Sequence, residues 1–143
     1  MATTVETILD TLKSDLKDYV KVSRGYNTTP TTILKGSFGP DEVSKSFPVI
    51  GFDITSEEFE SQMGDTGFAY VYLDIYGYTY TDGVDRIDAI RKLAHDVLYF
   101  IYNDFTYTDE VSLLEPMEYG GFKTLMFRLP IRIRYEWTTT NIR

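Results

Sequence analysis

The sequence predicts an α+β fold: a four-stranded, mainly antiparallel sheet with one long and one shorter helix on one face. Three observations carry that expectation. Residues 69–80 and 122–137 alternate apolar and polar side chains with a period of two, which in a strand sends the two sets to opposite faces. Residues 84–103 place apolar side chains at three- and four-residue spacing, the period of a helix with one buried stripe. A second, shorter helical pattern opens the chain. At 143 residues the chain reads as a single domain, 1–143, long enough to bury a core.

The opening helix spans residues 4–20. Val5, Ile8, Leu9, Leu12, Leu16 and Tyr19 fall on one side, with Asp10, Lys13, Lys17 and Asp18 on the other. Thr3 and Glu6 are spaced as a capping box. Residues 23–46 read as a loop or arm, punctuated by Gly25, Pro30, Gly36, Gly39 and Pro40, with a short strand fitting inside Thr31–Leu34. An arm of this length is of the kind that orders on a neighbouring subunit.

Phe47–Ile54 reads as a strand, with Pro48 at its start, where a missing N–H is tolerated. Residues 55–67 hold Glu57, Glu58, Glu60 and Asp65, with Gly64 and Gly67, and read as an acidic, flexible connection. The strand 69–80 is clearer. Its odd positions run Ala69, Val71, Leu73, Ile75; its even positions run Tyr70, Tyr72, Asp74, Tyr76, Tyr78, Tyr80. Thr81-Asp82-Gly83 is a turn, with Asp82 as N-cap of the long helix.

Residues 107–115 read as a third strand and Met117–Gly121 as a turn. The closing strand, 122–137, alternates almost without a break between Leu125, Phe127, Leu129, Ile131, Ile133, Tyr135, Trp137 and a polar set containing Arg128, Arg132 and Arg134. Pro130 has no N–H to give a ladder, so this strand is expected at an edge or bulged there. Strands of a dozen or more residues reach about 40 Å and overshoot a small core.

Composition narrows the function classes. With no cysteine, disulfides, thiol nucleophiles and thiolate metal sites are excluded. No apolar run has the length of a transmembrane helix, and the start, MATTVETILD, lacks the basic and apolar regions of a signal peptide. No membrane partner is expected. The net charge of −8 argues against binding nucleic acid over the whole surface. That charge is uneven: residues 1–40 carry +1, residues 41–118 carry −13 and residues 119–143 carry +4. Two outcomes fit, pairing between neighbouring strands and head-to-tail contact between copies.

With both helices on the aliphatic face, the other face presents Tyr70, Tyr72, Tyr76 and Tyr78 near Arg128, Arg132 and Arg134. Tyrosine mixed with arginine is the composition of interface hot spots, so these seven residues are the candidate subunit interface. A solvated face, or one that stacks single-stranded nucleic acid, are the alternatives. Catalytic signatures do not emerge. There is no phosphate-binding glycine loop and no nucleophile elbow, and the single histidine, His95, is mid-helix beside Asp96. Adjacent helical side chains diverge by about 100°, so the two do not make a dyad. Asp82, Asp85 and Asp88 share a helix face, which the helix dipole already explains. No cofactor, metal or catalytic residue is expected, and the chain is read as a non-enzyme.

The stretch 70–104, YVYLDIYGYTYTDGVDRIDAIRKLAHDVLYFIYND, and the closing LMFRLPIRIRYEW resemble the strand–turn–helix unit and final strand of the tail terminator (tail completion) proteins of long-tailed bacteriophages. The resemblance covers most of the chain, although 23–46 has no counterpart in it. It implies a structural virion protein: an α+β subunit forming a ring, usually of six copies, on the tail tube. The ring would stop tube polymerisation and join the tube to the head connector protein. DNA would pass through its lumen with transient contact only. The implied location is the tail or neck of the virion, assembled in the host cytoplasm. Another neck or head–tail connector subunit is the nearest alternative. A monomeric binding module with a Tyr/Arg sheet face is an alternative of another class.

Overall fold

A computed structural model describes residues 4–35, 48–64, 66–80, 86–105, 108–111, 115–118 and 124–138. In chain order the elements are helix α1 (Thr4–Tyr19), a 3-10 turn (Val22–Arg24), β1 (Thr32–Lys35), β2 (Val49–Met63), β3 (Thr66–Tyr80), helix α2 (Arg86–Asn103), β4 (Thr108–Val111), β5 (Glu115–Glu118) and β6 (Thr124–Thr138). The order across the sheet is β1-β2-β3-β6-β4, with β5 also paired to β6. Every pairing is antiparallel except β1 with β2. The fold is α+β with a mainly antiparallel sheet. The four expected strands correspond to β2, β3, the β4/β5 pair and β6, and β1 adds a short parallel edge inside the expected arm.

The period-two pattern sorts the core. Ala69, Val71, Leu73 and Ile75 of β3 and Phe127, Leu129, Ile131 and Ile133 of β6 are buried in one cluster with Ile50 and Phe52 of β2. Ile8, Leu12 and Leu16 of α1 and Leu93, Val97, Phe100 and Ile101 of α2 complete it. Both helices therefore cover the same sheet face, as the alternation required. Gly77 sits opposite Phe127, and a Cβ there would lie 2.0 Å from the Phe127 ring. The glycine is what lets that buried ring lie flat across β3.

Three expectations are corrected. Residues 55–63 are not a flexible connection but the second half of β2, paired with β3 as far as Met63↔Thr66. Gly64 at φ 65 supplies the left-handed backbone a tight hairpin needs. Two bulges, at Ile54/Ser56 and Phe59/Ser61, break the period of two, and the exposed Glu57, Glu58 and Glu60 hide what alternation remains. The 107–115 strand is in fact two short strands, β4 and β5, and Met117 belongs to β5 rather than to a turn. Pro130 is neither at an edge nor bulged. It lies in β6, whose register with β3 runs unbroken from Thr66↔Thr138 to Tyr80↔Thr124. On its other side β6 is covered by β4 over Ile131–Ile133 and by β5 over Leu125–Arg128. The Thr3 cap, the arm at 36–47, and the Thr81–Gly83 turn with Asp82 lie outside the described residues.

Length decides what the helices leave uncovered. β2, β3 and β6 have 15 residues each, about 50 Å of strand, whereas the 18 residues of α2 span about 27 Å. At the hairpin end of the sheet Phe59 is 51% exposed, packed edge-on against Trp137 at 5.9 Å.

Candidate functional site: a tyrosine–arginine sheet face

The register brings the seven residues together. Tyr70 lies opposite Arg134, Tyr72 opposite Arg132, Tyr76 opposite Arg128 and Tyr78 opposite Met126. All share the face turned away from α1 and α2, because the core cluster takes the odd positions of β3 and β6. Tyr70, Tyr72, Tyr76, Arg128 and Arg132 are half-buried and Arg134 is exposed. Tyr78 differs: at 3% exposure it forms a small second cluster with Val49 and Met126, flanked by Leu34 and Tyr76.

The face divides into two regions. Around Arg128, the buried Asp74 carboxylate lies 3.6 Å from the guanidinium and accepts a hydrogen bond from the Tyr76 hydroxyl at 3.2 Å. Burial and the Asp74 charge push the Tyr76 hydroxyl up from its ordinary value, since both disfavour a tyrosinate. The Tyr76 and Tyr78 rings stack at 6.4 Å.

Toward the hairpin end, Arg132 lies over the Tyr70 ring at 4.4 Å and Arg134 over Phe68 at 3.9 Å. Arg134 also approaches Glu60 at 3.7 Å, and Tyr72 donates to Glu58 at 3.1 Å. Each such exposed contact is worth about 0–1 kcal/mol. Their joint effect is positional: they hold flat rings and guanidiniums in a fixed ladder. Two of the arginines are thus matched by carboxylates of the same sheet, so part of the charge asymmetry resolves as pairing between strands.

Sequence reasoning missed Glu58, Glu60 and Phe68 as members of this face, and placed Asp74 on it without counting it among the candidate residues. The two glutamates were hidden because β2 was ended at Ile54. Asp74 was legible: it is the acidic member of the tyrosine stripe.

A second polar feature holds the helices to the loop after α1. Asp96 of α2 is 3% exposed and accepts four hydrogen bonds. These come from the Asn27 N–H at 3.0 Å and side-chain amide at 3.1 Å, and from the Thr28 N–H at 2.8 Å and hydroxyl at 2.5 Å. Nearby, the Tyr26 hydroxyl donates to Asp104; burial and that carboxylate raise the Tyr26 hydroxyl far above its ordinary value. A legible signal existed here too, since Asp96 is three residues from Leu93 and four from Phe100, both core residues.

His95 is exposed while Asp96 is buried, so these neighbours diverge as helical geometry requires. Asp88 pairs with Lys92 at 3.1 Å; Asp82 and Asp85 lie outside the described residues. Among the described residues no three His, Asp or Glu side chains gather as they would around a metal ion, and no helix is long and apolar enough to cross a membrane. No family model matches the sequence, and no curated protein matches it.

Proposed function

We propose that this chain is a structural assembly subunit: a phage tail terminator, or a closely related neck protein, forming a ring on the tail tube beneath the head connector. The observation that carries the reading is the sheet itself. Its three 15-residue strands outrun the helices and carry a pre-ordered Tyr/Arg ladder on the face the helices do not cover. Aromatic rings and guanidiniums already fixed by neighbours lose little entropy on docking, which favours a protein contact. The carboxylates on Arg128 and Arg134 favour a protein partner over a nucleic-acid backbone, which binds through cations it can neutralise. In this reading the work is positional rather than catalytic, with no cofactor, and DNA crosses only the lumen.

The test is the doubly substituted Arg132→Glu/Arg134→Glu chain. Assembly onto tail tubes, followed by co-sedimentation, is expected to fall at least tenfold while far-UV circular dichroism stays that of the wild type. Unchanged assembly would remove the Tyr/Arg face from the contact. Salt-sensitive capture of a labelled single-stranded oligonucleotide, with no binding to tubes, would favour the binding-module reading instead.

A further inference from the structure

β2 already takes a strand along part of its outer side. β1 pairs there with Val49–Phe52, and β2 then runs on to Met63 with β3 on its inner side. Among the described residues no strand lies beside the outer side of 55–63. The N–H and C=O groups along such a rail are a template for one more strand. Going beyond the ring reading, we infer that this rail, in line with β1, is a docking site for an extended cationic segment of a partner protein.

Exposure and charge point to that partner. Residues 55–60 are all exposed, without alternation, so this half of β2 is covered on neither face. Phe59 is among them, held edge-on by Trp137 at 5.9 Å and otherwise open. Residues 55–63 carry Glu57, Glu58 and Glu60 and no Lys or Arg. Acids of one sign repel a nucleic-acid backbone. They also keep β2 from pairing with the β2 of a second copy, because that would set like charges against each other. A strand that carries Lys or Arg meets neither obstacle.

The two faces of the rail differ, and the difference sets the pattern of the segment. Glu58 lies opposite Tyr70 and Glu60 approaches Arg134 at 3.7 Å, so both stand on the Tyr/Arg face. Glu57 lies opposite Val71 and Phe59 opposite Ala69, so these stand on the helix side. Tyr72 and Arg134 reach Glu58 and Glu60 from the inner strands, whereas an added strand approaches from the outer side. Such a strand is matched by cations on the Tyr/Arg face and by a cation beside an apolar residue on the helix side. Bulges at Ile54/Ser56 and Phe59/Ser61 divide the rail into Ser56–Phe59 and Ser61–Met63. The ladder is therefore short, and charge supplies much of the selectivity. The docking uses neither Arg132 nor Arg134 and needs no ring.

The test is binding of a fluorescent synthetic peptide of alternating lysine and valine to the full chain, followed by anisotropy and by amide hydrogen exchange. Saturable binding that weakens with salt is expected, with amides within 55–63 exchanging at least tenfold more slowly in the complex. Glu58→Lys/Glu60→Lys should weaken binding at least tenfold, and a glutamate–valine peptide should not bind. A lysine–proline peptide, which keeps the positive charges but is a poor strand, should bind at least tenfold more weakly. Absence of binding by the lysine–valine peptide would overturn the inference. So would equal binding of the proline peptide, or binding that leaves exchange of 55–63 unchanged, since either would be charge attraction without an added strand. These readouts do not depend on oligomeric state, so the ring reading stands or falls separately.

Discussion

Removing the Asp96 carboxylate is expected to be the most damaging single change outside the hydrophobic core. Asp96 is 3% exposed and receives four donors from two consecutive residues. A hydrogen bond to a charged group is worth about 1.5–3 kcal/mol, but the four share one carboxylate and do not add. In Asp96→Ala the Asn27 amide and the Thr28 hydroxyl can turn to water. The two backbone N–H groups cannot turn, and they carry most of the penalty. We expect a loss of about 3–4 kcal/mol, within the range for breaking a buried charged network. That is a large share of the roughly 5–15 kcal/mol available to a domain and about 10 °C in Tm for a chain of this size. Urea unfolding followed by circular dichroism measures it. Thr28→Val should cost about 1–2 kcal/mol in the wild type and close to nothing in the Asp96→Ala background, because the hydroxyl's partner is already gone. An Asp96→Ala chain within 1 kcal/mol of wild type, or full additivity with Thr28→Val, would refute the clamp.

Three further outcomes follow from the packing and the tyrosines. Gly77→Ala should cost about 2–4 kcal/mol in urea unfolding, because its Cβ would lie 2.0 Å from a Phe127 ring that is 1% exposed; in a Phe127→Leu background the cost should drop below about 1 kcal/mol. Thr79→Val should raise stability by about 0.5–1.5 kcal/mol, since the buried Thr79 hydroxyl has no hydrogen-bond partner among the described residues. Tyr26, Tyr76 and Tyr135 all have hydroxyls raised above the ordinary 10.0 by burial, reinforced by Asp104, Asp74 and Glu57 respectively. A folded pKa above the unfolded one contributes stability that is complete below the unfolded value and lost as pH rises through the folded value. Stability should therefore hold up to about pH 10 and decline above it, with late tyrosinate absorbance rising together with unfolding; three tyrosines titrating freely in the native state would contradict this.

The legibility of this fold followed a physical rule. Where one face was buried, as along Ala69–Ile75 and Phe127–Ile133, the alternation gave the strand, its face and the helix side together. Where strands ran past the core, the signal vanished. Residues 55–63 are strand by virtue of backbone pairing to β3, and the side chains of residues 55–60 face water on a bulged ribbon, so the sequence there resembles a loop. Pro130 misled because a proline in a strand pattern signals an edge or a bulge, whereas the strands that flank β6 on both sides come from distant parts of the chain. Of the site, Tyr70, Tyr72, Tyr76, Arg128, Arg132 and Arg134 were legible from period and composition. The burial of Tyr78 was not, because Val49, Leu34 and Met126 come from three other strands. The Asp96 clamp joins residues about seventy apart in sequence, and no local pattern encodes its partners.

The role proposed for the chain turns on whether copies of it close into a ring. Native mass spectrometry of the purified full chain, taken across a concentration series at low ionic strength, tests this most directly. The account predicts one closed species at an integer multiple of the 16.5 kDa chain, six copies being the number the family resemblance implies, which disappears in Arg132→Glu/Arg134→Glu. A chain that remains a 16.5 kDa monomer throughout, or one that grows into a ladder of open sizes without a terminal species, would contradict it.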